Sequence, residues 1–213
     1  KITGKVAKKL QIPYKEFIQR IRNAKVVYVD ETELNVDGAT YYLWTFVSEN
    51  EVIFVIRKSR SKSVIIEVLG DKFEGVISCD GWKAYNNYSN NLQRCWTHLL
   101  REAKYLAEKH SSFLGFYENF KSIFKRIKSI REKGCPLKTR IKWRDKLKEE
   151  MLQIIQQMNS YKEFRKFANK VMNGIEYWLT CLIHLFVEPT NNNAERALRE
   201  LIVQRKIIGG LRR

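Results

Sequence analysis

Two short apolar runs, each closing on an aspartate, constrain the fold of this 213-residue chain more than any other feature. Lys25-Val26-Val27-Tyr28-Val29-Asp30 and Gly75-Val76-Ile77-Ser78-Cys79-Asp80 are too short for buried helices, and an uninterrupted apolar strand must be covered on both faces. They predict two central strands of one sheet, with Asp30 and Asp80 at the C-terminal ends. Between them, Asp37-Gly38 is a hairpin turn, Ala39 to Val47 is rich in β-branched and aromatic residues, and Glu49-Asn50 turns the chain into Val52 to Ile56. Three strands in succession therefore form an antiparallel meander. Ser61 to Leu69 reads as a helix stopped by Gly70, and a helix joining strands of one sheet implies a right-handed crossover and parallel pairing. Tyr85 to Asn91 reads as a polar connection and Leu92 to Trp96 as a short fifth strand.

Lys1 to Asn23 is a basic, mostly helical stretch interrupted at Pro13. Its residues Tyr14, Phe17, Ile18 and Ile21 make one apolar face. From Thr97 onward the spacing is helical: Leu99 to His110, Phe113 to Lys133, Leu137 to Asn159 and Tyr161 to Phe186, with Gly134-Cys135-Pro136 as the clearest break. A last helix begins around Asn192 and is ended by Gly209-Gly210. Three antiparallel strands, a helix, a parallel strand, a helix, a fifth strand and a closing helix is the order of the ribonuclease-H-like fold. The fold class expected is thus α/β, a ribonuclease-H-like mixed five-stranded sheet with a large all-helical insertion before the last helix. Its parts are a basic helical linker from an upstream region (1–23), the first part of the core (24–96), the insertion (97–186) and the closing helix with its tail (187–213).

The formal charge of +17 at pH 7 calls for a polyanionic partner. Between Lys121 and Lys148 the chain carries 12 Lys and Arg against Glu132 and Asp145, a net +10. Nucleic acid fits that pattern, whereas no stretch approaches the roughly 20 apolar residues of a membrane span. Four cysteines, Cys79, Cys95, Cys135 and Cys181, show no paired spacing, which speaks against a disulfide framework and for a reducing, cytoplasmic compartment. The chain begins at Lys1 and shows no signal peptide, so the expectation is a fragment of a longer intracellular protein.

In the expected sheet the first and fourth strands are parallel neighbours, which sets Asp30 and Asp80 side by side, and the closing helix can bring Glu195 over them. Three carboxylates so clustered repel one another, and hard divalent cations such as Mg²⁺ or Mn²⁺ offset that repulsion. Two such ions about 4 Å apart can activate a water or a 3′-hydroxyl and steady the leaving oxygen of a phosphodiester. Plainer readings stand beside this one. Aspartate at a strand end is a common turn residue, and Asn192-x-x-Glu195 fits a capping box. Glu31 and Glu33 are rival ligands, although alternation along a strand turns Glu31 away from Asp30.

Val29-Asp30-Glu31-Thr32, Cys79-Asp80-Gly81-Trp82-Lys83-Ala84-Tyr85, Cys95-Trp96-Thr97-His98-Leu99-Leu100-Arg101 and Asn192-Asn193-Ala194-Glu195-Arg196-Ala197-Leu198-Arg199, followed by Arg205-Lys206, resemble in order the insertion-sequence-66 family of DDE transposases. The resemblance runs from about Ala24 to Arg213. It implies that Asp30, Asp80 and Glu195 are the catalytic, metal-binding triad, holding two Mg²⁺ or Mn²⁺ ions, and that the helices between are the family's insertion. It also implies a missing upstream DNA-binding region, transposon ends and target DNA as partners, and a homodimer on DNA in the nucleoid. A ribonuclease-H-like nuclease without strand transfer and a non-catalytic DNA-binding remnant are the alternatives.

Several residues would support such a site. His98 is expected at the same sheet edge as Asp80, as a contact to phosphate or a bound water, with a packing histidine or half of a zinc site with Cys95 and Cys79 as the alternatives. Arg101, Arg196 and Arg199 offer guanidinium forks for phosphate oxygens. Arg199 could instead pair with Glu195 one turn away. Within the basic stretch, Lys125, Arg126, Lys142 and Arg144 are candidates for sequence-independent DNA contacts, against the plainer reading of a solvated helical face. Phe124 and Trp143 read as contacts between helices.

Overall fold

The computed structural model describes residues 2–158 and 160–208. Strand β1 (Val26–Val36) runs antiparallel to β2 (Ala39–Val47), which runs antiparallel to β3 (Val52–Arg57), and β1 is parallel to β4 (Val76–Cys79). With β5 (Leu92–Arg94), the sheet order is β3-β2-β1-β4-β5. Meander and parallel crossover are those the sequence predicts. The β1–β2 hairpin turns at Asp37 and Gly38, with φ of 50° and 79°, values that glycine takes without steric cost and aspartate tolerates better than most side chains. At Gly75 a side chain would meet the Ala24 carbonyl at 2.5 Å and the Phe73 ring at 2.6 Å, so only glycine lets β4 start beside β1.

Two compact units divide the chain, one made of 1–92 and 191–213 and the other of 93–190. In the first, α1 (Ile2–Lys9) and α2 (Gln11–Arg22) precede the sheet, α3 (Lys62–Leu69) makes the crossover, α4 (Lys83–Asn86) follows Asp80, and α10 (Asn192–Ile208) closes the unit. The expected interruption at Pro13 falls at Leu10 instead. Pro13 sits in the first turn of α2, where its missing N–H has no intrahelical partner to lose. α4 also occupies ground expected to be a plain connection.

Helix α10 lies on β1 and β2. Ala194 packs with Tyr28 and Val47, while Leu198 packs with Leu34 and Leu43, aided by Leu201 and Ile202. These contacts need apolar residues at helical spacing on α10 and at alternate positions on the strands, and both patterns are present. The start of the helix is fixed by Asn191, fully buried, whose Nδ2 donates to the Val29 carbonyl at 2.8 Å.

The second unit holds α5 (Trp96–Lys109), α6 (Leu114–Glu132), α7 (Leu137–Met158), α8 (Arg165–Asn173) and α9 (Thr180–Ile183). Phe113 packs edge-on against Phe164 and Phe167, and Trp96 stacks on Phe124 and meets Trp178. The single helix expected over Tyr161 to Phe186 is broken. α8 ends before Gly174, Trp178 folds back to donate to the Val171 carbonyl, and Arg131 and Arg140 collect the carbonyls of Cys181, Leu182, Ile183, Leu185 and Val187 that a continuous helix would have used.

Candidate active site

Register decides which side chains share a face. Asp30 pairs with Thr45 across β1 and β2, Tyr28 pairs with Ser78 across β1 and β4, and side chains two apart return to the same side. Asp30, Thr45 and Asp80 therefore lie on the face that Tyr28 shows to Ala194 of α10. Glu195 follows Ala194 in the first turn of that helix.

The electrostatics agree with the placement. Burial pushes the Asp30 carboxyl up to about 7, and the charges of Glu31, Asp80 and Glu195 push the same way, against one opposing hydrogen bond from the Glu31 N–H. Ionising Asp30 in the metal-free protein is thus disfavoured by on the order of 4 kcal/mol relative to water. Asp80 and Glu195 each lie within electrostatic reach of Asp30. Both aspartates are also held in rotation: Glu31 N donates to Asp30 Oδ1 at 3.1 Å, and Trp82 N donates to Asp80 Oδ1 at 2.8 Å.

The capping-box reading of Glu195 does not match the helix start. Glu195 N donates to the Asn191 carbonyl, so Asn191 occupies the cap and Glu195 falls one position beyond the third residue that a capping box uses. Beside Asp30, the hydroxyl of fully buried Thr45 has no hydrogen-bond partner among the described residues, nor has that of Ser78 on β4. Crowded carboxylates and orphaned hydroxyls form a donor set of hard oxygens, the type that Mg²⁺ and Mn²⁺ take together with bound water.

Glu31, the rival ligand, faces the other way, as alternation requires. Its side chain is 2% exposed and bonded to Tyr85 and Arg60. Glu33 lies further along β1 and is exposed. Of the expected phosphate contacts, Arg196 and Arg199 are exposed on α10, and Arg196 Nη2 donates to Asn193 Oδ1 at 2.7 Å. His98 and exposed Arg101 lie on α5, in the second unit.

The basic stretch divides sharply. Arg126 makes a two-pronged pair with Glu150 at 2.7 and 2.8 Å and lies over Trp143, while Arg144 pairs with Asp145. Arg131 and Arg140 are spent on main-chain carbonyls. Lys125, Lys128 and Lys133 on or beside α6, and Lys138, Lys142 and Lys146 on α7, remain exposed. The last three stand one turn apart on one side of their helix. Sequence reasoning passed over Arg60, Trp82 and Tyr85, although the last two stand within the stretch that follows Asp80.

Among the described residues no helix is long and apolar enough to cross a membrane. The family model described as Transposase IS66 family matches residues 1–213. No curated protein and no solved structure matches the chain.

Proposed function

Because the chain belongs to the IS66 family of transposases, we propose that it is the catalytic core of a DDE transposase with a ribonuclease-H-like fold, in which Asp30, Asp80 and Glu195 hold divalent cations. The observation that carries this reading is the burial of Asp30 among the charges of Asp80 and Glu195 on the face covered by α10. The oxygen donors fit Mg²⁺ or Mn²⁺, and bound cations would lower the pKa of an attacking water or hydroxyl and stabilise the leaving oxygen.

The protein's own groups supply position. Trp82 N and Glu31 N fix the two aspartates in rotation, and Asn191 pins the start of α10 to the β1 carbonyl immediately before Asp30. Water is the first nucleophile: its oxygen bonds to phosphorus at the element end and the bond to the 3′-oxygen breaks, freeing a 3′-hydroxyl. That hydroxyl then attacks a target phosphodiester. One phosphorus–oxygen bond forms and one breaks in each step, so no covalent protein intermediate arises. Arg196 and Arg199 on the helix of Glu195, His98 and Arg101 on α5, and the exposed lysines of α6 and α7 are proposed contacts to DNA. Two ends must be joined, which makes a homodimer on intracellular DNA the working assembly.

The test is incubation of the protein with Mn²⁺ and DNA carrying the element's ends. The expected products are 3′-hydroxyl ends followed by joined strands. Accumulated cuts that are never joined would favour a nuclease, and salt-sensitive binding with no scission would favour a DNA-binding remnant.

A further inference from the structure

The ladder between β1 and β4 ends at Tyr28 and Ser78, two residues before each aspartate. Past that point, the backbone pairing that sets the distance between the strands has stopped. Side chains on the opposite face continue it. Glu31, next to Asp30, accepts from Tyr85 Oη at 2.6 Å and from Arg60 Nε and Nη2 at 3.0 and 2.9 Å. Tyr85 is fully buried and meets the Trp82 ring edge-on at 5.8 Å. Arg60 lies 5.0 Å above that ring, and Trp44, which pairs with Glu31 across the hairpin, lies 5.9 Å from it. Trp82, in turn, holds Asp80 through its backbone N–H. A continuous chain of contacts thus runs from Asp30 through Glu31, Tyr85, Arg60 and Trp82 to Asp80.

Stability alone is a weak reason for this arrangement. A buried acid with its partners is commonly no better than an apolar group of the same volume, and the best-attested use of such groups is to select one geometry. We propose that Glu31, Arg60, Trp82 and Tyr85 form a positioning clamp that sets the separation of Asp30 and Asp80 from the far side of the sheet. The proposal rests on the reading of the two aspartates as cation ligands. It makes Glu31 a positioning residue and not a third ligand.

The test compares the full chain with its Tyr85→Phe, Arg60→Lys and Asp80→Ala variants. Mn²⁺ affinity is measured by titration calorimetry, and the Mn²⁺ dependence of DNA cleavage beside it. Far-UV circular dichroism confirms the fold, and two clamp variants are used so that failure of one to fold leaves the other. Tyr85→Phe and Arg60→Lys are expected to bind Mn²⁺ about 10- to 100-fold more weakly, the usual cost of losing a partner behind the ligands. Cleavage should recover towards the parent rate at saturating Mn²⁺, a recovery that general damage to the fold would not give. Parent-like affinity in both variants, beside lost affinity in Asp80→Ala, overturns the clamp alone. No Mn²⁺ binding by the parent, or unchanged binding in Asp80→Ala, overturns the two-aspartate reading and the clamp with it.

Discussion

Asp30 and Glu31 are neighbours on one strand, and the two faces of the sheet treat their charges in opposite ways. Burial raises the pKa of both. On the far face, the Glu31 carboxylate is met by donors from Tyr85 and Arg60, which favour its ionised form. On the α10 face, Asp30 receives one backbone N–H and is otherwise pressed by Asp80, Glu195 and Glu31. An acid with donors around it is finished as a piece of structure. An acid among acids is the one that a cation would complete, and the comparison therefore favours the α10 face as the proposed site of the chemistry although Glu31 is an equally good ligand by type.

Removing Asp80 breaks the comparison most directly. Asp80→Ala should abolish Mn²⁺-dependent cleavage while leaving DNA binding, measured by filter binding at fixed salt. Retained cleavage would sink the assignment of the site. The same substitution takes away one of the charges that raise Asp30, so the metal-free variant should unfold at an equal or higher temperature than the parent. Loss of a ligand and gain of stability together would mark a site strained by its own charges.

The face itself depends on α10. Leu198 is 3% exposed between Leu34 and Leu43, and Leu198→Ala should cost about 2–5 kcal/mol in urea unfolding. Asn191→Ala should cost less, roughly 1–3 kcal/mol, chiefly by leaving the buried Val29 carbonyl without its donor. Both should weaken Mn²⁺ binding, because both loosen the helix that carries Glu195. Unchanged affinity in a folded Asn191→Ala variant would separate Glu195 from the cations.

Much of this arrangement is legible in the chain because it is local or periodic. Apolar runs mark the strands that carry Asp30 and Asp80, Asp37-Gly38 marks the hairpin, and alternation sends Glu31 to the other face. Asp80 does follow the end of β4, but β1 pairs on with β2 as far as Val36, so Asp30 lies within its strand and not at the end the apolar run predicts. What the sequence does not reveal are partners brought together by tertiary packing. Nothing near Arg60 or Tyr85 says that they meet at Glu31, since their contacts arise only when β1, the loop after β3 and α4 converge. The segment Tyr161 to Phe186 misleads for a related reason. Its spacing is helical, but Gly174 and Trp178 interrupt the ladder, and arginines from distant helices accept the task of satisfying the freed carbonyls.

The two faces should also differ in their response to pH. Asp30, raised from 3.8 to about 7, stabilises the metal-free fold fully below the lower value, and that contribution is lost as pH rises through the upper one. Cations require the ionised form, so the thermal shift caused by Mn²⁺ should grow between about pH 6 and 8. Asp30→Asn should remove both trends: the metal-free protein should lose less stability across that window, and Mn²⁺ should give little shift at any pH. A Mn²⁺ shift that is flat across the window in the parent would contradict the uncompensated state of Asp30.

The same contrast recurs, at a smaller scale, in the helical unit. Arg126 and Arg144 already face carboxylates, and Arg131 and Arg140 face carbonyls, whereas Lys138, Lys142 and Lys146 are exposed one turn apart, the last with its ammonium 5.2 Å over the Trp143 ring and no carboxylate partner among the described residues. A cation that is already paired has little to gain from a phosphate and a partner to lose. An exposed lysine releases a condensed counterion when it docks, contributing about 0.9 to the slope of log affinity against log salt on duplex DNA. Lys142→Gln should therefore reduce that slope by about one, with unfolding temperature unchanged, and the triple change at Lys138, Lys142 and Lys146 by nearly three. Arg126→Gln should leave the slope almost unaltered and lower stability modestly, because Glu150 loses its partner at a half-exposed site. If Arg126 moved the slope as far as Lys142 does, pairing would not be what separates structural from DNA-binding cations in this protein.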